Sequence, residues 1–260
     1  MKSYDELIRE RRELLKAQSI GDEEYDSHQR KGVQPPPLEK PYPEDGVLVD
    51  LVKPEDIRLG NVPLFEAIKK RESRRKYTGE ALMLEELSFL LWSTQGVKVV
   101  DKNRVWTKRV VPSGGARHPF ETYLIVSRVE GLESGVYRYL AIEHKLLWLA
   151  KSDSRMVERV SDACYGQSFV GESAVVFVWA AVPYRAEWRY GVRGYKDVAV
   201  EAGHICQNLY LACEAIGAGA CAIAAYDQKA VDELIGVDGQ EEFTVYLAPV
   251  GKISNDKEQK

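Results

Sequence analysis

Three short stretches of this chain carry residues whose types and spacing suit ligand chemistry. In the first, Arg71-Glu-Ser73-Arg74-Arg75-Lys76-Tyr77, the alternate residues Arg71, Ser73, Arg75 and Tyr77 share one face if the backbone is extended. Two guanidiniums and a hydroxyl on one face suit a phosphate or another electron-rich oxygen group. A solvated basic turn is the plainer reading of the same residues. The second stretch, Pro112-Ser-Gly-Gly-Ala-Arg-His-Pro119, sets two adjacent glycines among small neighbours. Such a backbone can approach a ligand closely and present N–H groups, although an ordinary turn has the same composition. The third, Gly217-Ala-Gly-Ala-Cys-Ala-Ile-Ala-Ala-Tyr226-Asp227, leaves room for something flat against the backbone, or for tight helix–strand packing.

Other chemistries find no support. Gly217 and Gly219 close a helix and lead into a strand, whereas the dinucleotide fingerprint follows a strand, opens a helix and needs a third glycine. Glu201 and His204 have the Glu-x-x-His spacing of di-iron bundles, but those need two such motifs and further glutamates. His28, His118, His144 and His204 are scattered, so no metal site is expected. No serine lies in a Gly-x-Ser-x-Gly elbow. Cys164, Cys206, Cys213 and Cys221 form neither a CxxC pair nor a ligand spacing with histidine, and read as reduced thiols in or near the core.

The elements that must position these stretches follow from periodicity. Residues 1 to about 20 read as a polar helix and 21 to 46 as a linker, with Pro35–Pro37, Pro41 and Pro43 favouring extended polyproline backbone. Pro63–Arg71 and Leu84–Gly96 read as helices, the second with Leu87, Leu90 and Leu91 at helical spacing. Glu121–Val129, Val136–Ile142 and Lys145–Ala150 are β-rich and suggest a meander. Arg155–Cys164 reads as helical, and Ala174–Val182 as a buried strand. Val198–Ile216 is the clearest helix, with Val198, Ala202, Ile205, Leu209, Ala212 and Ile216 in steps of four and three and Gly217 as its stop. Short strands at Ala220–Ala225 and Glu242–Pro249, with a helix at Asp227–Ile235 between them, complete an α+β pattern. The expected organisation is an N-terminal helix and Pro-rich extension (1–45), one compact domain (46–252) and a charged tail (253–260).

Composition sets the outer bounds. With 260 residues and 45% hydrophobic content, the chain can bury a sizeable core. A net charge of −4 argues against nucleic acid, and the cluster Lys69, Lys70, Arg71, Arg74, Arg75 and Lys76 suits a small phosphate better than a polymer. No run reaches the roughly 18 to 20 apolar residues that span a bilayer. The charged N-terminus lacks the apolar segment of a signal peptide, so no membrane association and a cytoplasmic address are expected.

In this order, the three stretches resemble the nitroreductase superfamily of FMN enzymes: its Arg-x-Ser-x-Arg/Lys-x-aromatic signature, its Pro-Ser-small-residue loop, and its helix–Gly-x-Gly–small–Ile-x-x-aromatic passage. The chain then closes on Tyr246-Leu-Ala-Pro-Val-Gly251-Lys252. The SagB/ThcOx-type dehydrogenase branch is similar in further places. These are Pro35-Pro-Pro-Leu-Glu-Lys-Pro-Tyr-Pro43, Leu87-Ser-Phe-Leu-Leu-Trp92 and the passage from Arg193 to Leu209. The resemblance spans about residues 35 to 252 and implies a nitroreductase-like fold, a mostly antiparallel or mixed sheet flanked by helices, as a homodimer with FMN at the interface.

Carried over residue by residue, the resemblance implies that Arg71 and Ser73 face the FMN phosphate. Arg75 would reach the ribityl chain and the N1/O2 edge. Pro112, Ser113, Gly114 and Ala116 would contact FMN from the other subunit, Ala222, Ile223, Ala224 and Ala225 would line one flavin face, and Lys252 would be a further phosphate ligand. It also implies ping-pong transfer through flavin N5 to or from a small organic or peptide substrate, with NAD(P)H as a candidate donor. Tyr190, Arg193 and Tyr195 are candidates for substrate contact. Azoline-oxidising members carry a Lys-Tyr pair where this chain has Arg189-Tyr190, and an arginine with a pKa above about 12 is no base. A non-catalytic or flavin-binding subunit of a peptide-modifying, azoline-forming complex is the alternative, with the proline-rich segment as a docking arm.

Overall fold

The computed structural model describes residues 2–16 and 27–254. The last residues of the expected N-terminal helix, part of the expected linker and most of the charged tail lie outside them. Helix α1 (Tyr4–Glu13) begins at a capping box: Ser3 Oγ accepts the Glu6 N–H at 3.2 Å, and the Glu6 carboxylate accepts the Ser3 N–H at 2.7 Å.

The body is a seven-stranded sheet with helices on both faces. Strands β1 (Leu48–Asp50), β4 (Phe120–Val126), β5 (Gly135–Leu140), β6 (Lys145–Lys151), β7 (Val175–Ala181), β8 (Ala218–Ala220) and β9 (Phe243–Lys252) lie in the order β1-β6-β5-β4-β7-β9-β8. Every neighbouring pair is antiparallel. Strands β2 (Val97–Val100) and β3 (Thr107–Arg109) form a separate hairpin. The helices are α2 (Leu64–Lys70), α3 (Leu84–Gln95), α4 (Met156–Ala163), α5 (Ser168–Gly171), α6 (Tyr184–Tyr190), α7 (Gly194–Ala215) and α8 (Gln228–Ile235). The α+β reading holds.

Central strand β7 shows why its sequence is apolar throughout. Val175, Phe177, Trp179 and Ala181 pack with Leu87, Leu91 and Leu209 of α3 and α7, while Val176, Val178 and Ala180 pack with Val160, Val231 and Ile235 of α4 and α8. A strand alternates its side chains between two faces, so a sheet covered on both sides needs hydrophobic residues at every position.

Several boundaries move. Helix α7 starts at Gly194, four residues before the apolar stripe, because Gly194 packs on α6, where a Cβ would lie 2.9 Å from the Glu187 nitrogen. Strand β8 begins at Ala218, directly after Gly217 (φ 67°) turns the chain out of α7, so Cys221–Ala225 lies beyond the strand with a single bridge, Ile223 to Leu247. Strand β1 and the β2–β3 hairpin were not expected from periodicity.

The proline-rich lead-in is packed on the body over residues 27–46. Its prolines lack N–H groups and cannot join a sheet, but their carbonyls accept hydrogen bonds. Arg117 donates to Pro36 O at 3.2 Å, Arg185 to Pro37 O at 3.0 Å, Arg109 to Leu38 O at 3.4 Å and Arg138 to Lys40 O at 2.8 Å. Lys40 N–H donates to Glu121 at 2.7 Å, and the buried Arg185 pairs with the same carboxylate. Among the described residues no helix is long and apolar enough to cross a membrane.

Candidate functional site

After α2 the chain runs extended along the end of the sheet, with Arg74 N–H donating to Ala220 O and Thr78 N–H to Lys252 O, both at 2.9 Å. Arg74 packs onto Gly219, where a Cβ would lie 2.6 Å from the Arg74 side chain, and Tyr77 packs onto Gly251. Tyr77 therefore sides with Arg74 rather than with Arg71, Ser73 and Arg75. Burial holds its hydroxyl above the usual tyrosine range, and that hydroxyl donates toward Arg74 O and Pro249 O.

Arg71, Ser73 and Arg75 gather around α7 and the third stretch. The Arg71 guanidinium lies over the Tyr210 ring, 5.3 Å from its centroid. Ser73 Oγ is 3.0 Å from Tyr210 Oη, which accepts the Ala222 N–H at 2.7 Å. Either hydroxyl can donate in the Ser73–Tyr210 pair, so Tyr210 ties Ser73 to the Ala222 amide. Ser73 and Arg75 also hydrogen-bond the Cys221 thiol, although burial is the larger effect and pushes the thiol up. The Arg75 guanidinium lies 6.0 Å from the Phe169 ring centroid. Beyond Tyr210, Ala222 is half-buried and Ala224 and Ala225 are exposed, while Ile223 turns into the core.

Charge distribution singles out two of these cations. Arg74 takes the nearby carboxylates, Glu72 at 2.7 Å and Glu214 at 3.9 Å. Lys252 pairs with the buried Glu86, so its charge is compensated there. Among the described residues Arg71 and Arg75 form no ion pair, and both open onto the surface carrying Ser73 and the exposed alanines.

The second stretch is a strained turn. Gly115, Ala116 and His118 have φ of 57°, 55° and 45°, left-handed values that non-glycine residues adopt at a cost. Four contacts hold it. Glu201 accepts the Gly114 N–H at 2.7 Å, and Ser113 Oγ accepts the His118 N–H at 2.8 Å. Arg117 donates to Arg185 O at 3.1 Å, and His118 Nε2 lies 3.1 Å from Thr107 O. Burial and the Arg109 guanidinium push His118 down to about 3, so its ring is neutral and donates through Nε2. Arg189 and Tyr190 press against Gly115, and Asp197 against Gly114. Arg193 is half-buried at the start of α7, and the Tyr195 hydroxyl donates to Leu14 O at 2.7 Å. A cavity of about 480 Å3 opens nearby between α6, α7 and β9, with Tyr184, Tyr195 and Phe243 among its walls.

One chain thus brings the first and third stretches together and leaves the second apart. The turn sits over Asp197 and Glu201 of α7, whereas Tyr210 and Glu214 serve the other two stretches. Nine residues separate Glu201 from Tyr210, about 13 Å along the helix. Sequence reading missed Tyr210, Phe169 and Cys221 as parts of the gathering. It weighed Glu201 only beside His204, yet Glu201 is buried on Gly114 and His204 is exposed.

Comparison with known proteins gives a consistent pattern. A family model described as the Nitroreductase family matches residues 68–252. A Methanocaldococcus jannaschii protein described as a nitroreductase is 32% identical over 208 residues, covering 80% of this chain and 98% of that protein. The microcin B17-processing protein McbC of Escherichia coli is 25% identical over 154 residues, 58% of this chain and 56% of McbC. In fold, a Ralstonia eutropha protein described as a nitroreductase matches with a TM-score of 0.64 at 23% identity, covering 85% of this chain and 99% of its own. A chain of the Escherichia coli microcin synthetase McbBCD complex matches with a TM-score of 0.59 at 20% identity, over 96% and 91%.

Proposed function

The chain belongs to the nitroreductase family, and from that premise we propose that it is an FMN-dependent oxidoreductase whose site is completed across a homodimer. The observation carrying this reading is the pair of guanidiniums, Arg71 and Arg75, gathered beside Ser73, Tyr210 and the exposed Ala224 and Ala225, with no ion pair to either among the described residues. Such a set fits the cofactor's two ends. A phosphate suits Arg71 and Ser73, and a flat ring system suits a wall that ends in Ala224 and Ala225. FMN, when bound, supplies hydride or electron transfer between a donor and a substrate.

The chain's own residues do the rest. Arg75 would hold the polar edge of a bound flavin, where a fixed cation would favour its reduction. Tyr210 fixes Ser73 and the Ala222 amide relative to one another. Pro112, Ser113, Gly114 and Ala116 would form a wall offered to the partner's cofactor, as the family resemblance implies. Tyr190 borders that wall at Gly114 and Gly115, and Tyr190 and Arg193 are the proposed substrate contacts. The nearby cavity has a volume suited to a small organic substrate.

Dimerisation has support on the surface of α2. Leu64, Phe65 and Ile68 are 65%, 71% and 54% exposed, beside a groove containing Val62, Phe89 and Leu211. Large apolar side chains clustered in this way mark an interaction surface. A second reading, a subunit of a peptide-modifying assembly, draws on the McbBCD likeness extending over the packed proline-rich lead-in.

Purification tests the proposal directly. The expected protein is yellow, or becomes so on adding FMN, and anaerobic NADH or NADPH bleaches it. A colourless protein that takes up no FMN overturns the reading. A yellow protein bleached by neither nicotinamide favours a dehydrogenase reduced by its own substrate, or the subunit reading.

A further inference from the structure

Glu201 is a buried carboxylate on α7 that faces the strained turn. Its Oε1 accepts the Gly114 N–H at 2.7 Å, and the Ser113 hydroxyl also hydrogen-bonds it. Ser113 Oγ in turn accepts the His118 N–H at 2.8 Å, so one carboxylate anchors both ends of a turn that contains three left-handed residues. Strained backbone of this kind persists only where its surroundings over-determine it. The turn is the wall proposed to face the partner's FMN, so this inference rests on the proposed function.

We propose that Glu201 is a positioning residue of the flavin site: as a carboxylate it locks the Ser113–Gly114 backbone in the shape offered to the second subunit, and taking up a proton loosens that lock. An ionised carboxylate only accepts, and it receives both the Gly114 N–H and the Ser113 O–H in charge-assisted bonds. One added proton turns one oxygen into a donor. The Ser113 hydroxyl, already accepting from His118, must then reverse its hydrogen, and the remaining bond to Gly114 is a weaker neutral one.

The surroundings allow this change near neutrality. Burial pushes Glu201 up to about 7, against the bonds from Gly114 and Ser113, and Asp197 one turn earlier adds to the rise while the Arg109 guanidinium on β3 opposes it. Arg189 and Tyr190 of α6 reach the turn at Gly115, and His118 stays neutral down to about 3. The carboxylate of Glu201 is therefore the group bonded to the turn that changes charge in this range.

The test compares wild type with Glu201→Gln, which keeps size and one acceptor but does not titrate. FMN binding is followed by flavin fluorescence from one pH unit below to one above about 7. The phosphate of FMN titrates near 6, and this contribution is common to both proteins. Wild type is expected to bind FMN several-fold more weakly at the acid end, with Glu201→Gln showing only the shared phosphate slope. Identical pH profiles overturn the proposal. If wild type takes up no FMN at any pH, the proposed function fails, and hydrogen exchange at the Gly114 amide of the flavin-free proteins then tests the clamp alone. Burial raises this acid from 4.5 to about 7, so ionisation lowers global stability through that window whether or not the turn is clamped, and the unfolding midpoint is not the readout. Relative to Glu201→Gln, wild type should protect the Gly114 amide above about 7 and lose that protection below it, and an unchanged ratio across the range overturns the clamp.

Discussion

At the scale of single residues, the absence of a close ion pair among the described residues separates Arg71 and Arg75 from Arg74 and Lys252. Arg74 and Lys252 belong to the same basic neighbourhood, but each already faces carboxylates. Replacing Arg75 with Ala removes a charge-assisted contact of about 1.5–3 kcal/mol, so FMN retention after desalting should fall by roughly tenfold or more. Unchanged flavin content would place the cofactor elsewhere. Tyr210→Phe keeps the ring under Arg71 but removes the oxygen that accepts Ala222 N–H and meets Ser73. Losing a net hydrogen bond costs about 1 kcal/mol, so urea unfolding should show that loss, together with weaker flavin binding. An effect on stability alone would make Tyr210 structural only.

At the scale of elements, the proline-rich lead-in and α6 are held by side chains that reach far along the sequence. Arg185 of α6 donates to Pro37 O and pairs with Glu121 of β4, and both charged groups are buried. Arg185→Ala leaves Glu121 buried opposite an empty space, at a cost of about 3–5 kcal/mol. The expected outcome is a large drop in melting temperature, together with increased proteolysis between residues 27 and 46. Protection of that segment in the variant would show that its hold on the body lies elsewhere. Elements whose burial comes from local periodicity were legible in advance: Val198, Ala202, Ile205, Leu209 and Ala212 of α7 are all buried. Helix α6 was not, because its buried Arg185 makes sense only beside Glu121, 64 residues away. The three- and four-residue strands β1, β2 and β3 are too short to show a period.

At the scale of the whole molecule, the proposed site spans two copies of the chain, and dimerisation becomes a condition for holding the cofactor. Phe65→Asp places a charge in the exposed apolar face of α2. Light scattering should then report a smaller particle that has lost flavin in parallel; a monomer with stoichiometric FMN would contradict the shared site. The sequence alone determined the family, the α+β alternation, the buried strand β7 and long helix α7, and the residue types of all three stretches, since these depend on spacing within a few turns or strand residues. Only the tertiary structure decided which stretches meet. Tyr210 acquires its role because α2 ends where Ser73 and Ala222 fall on either side of its hydroxyl, and Glu201 because the turn after Pro112 lands on its carboxylate. Hydrogen bonds between residues 87 or 137 positions apart leave no periodic trace in the chain; they follow from how the sheet and its helices pack.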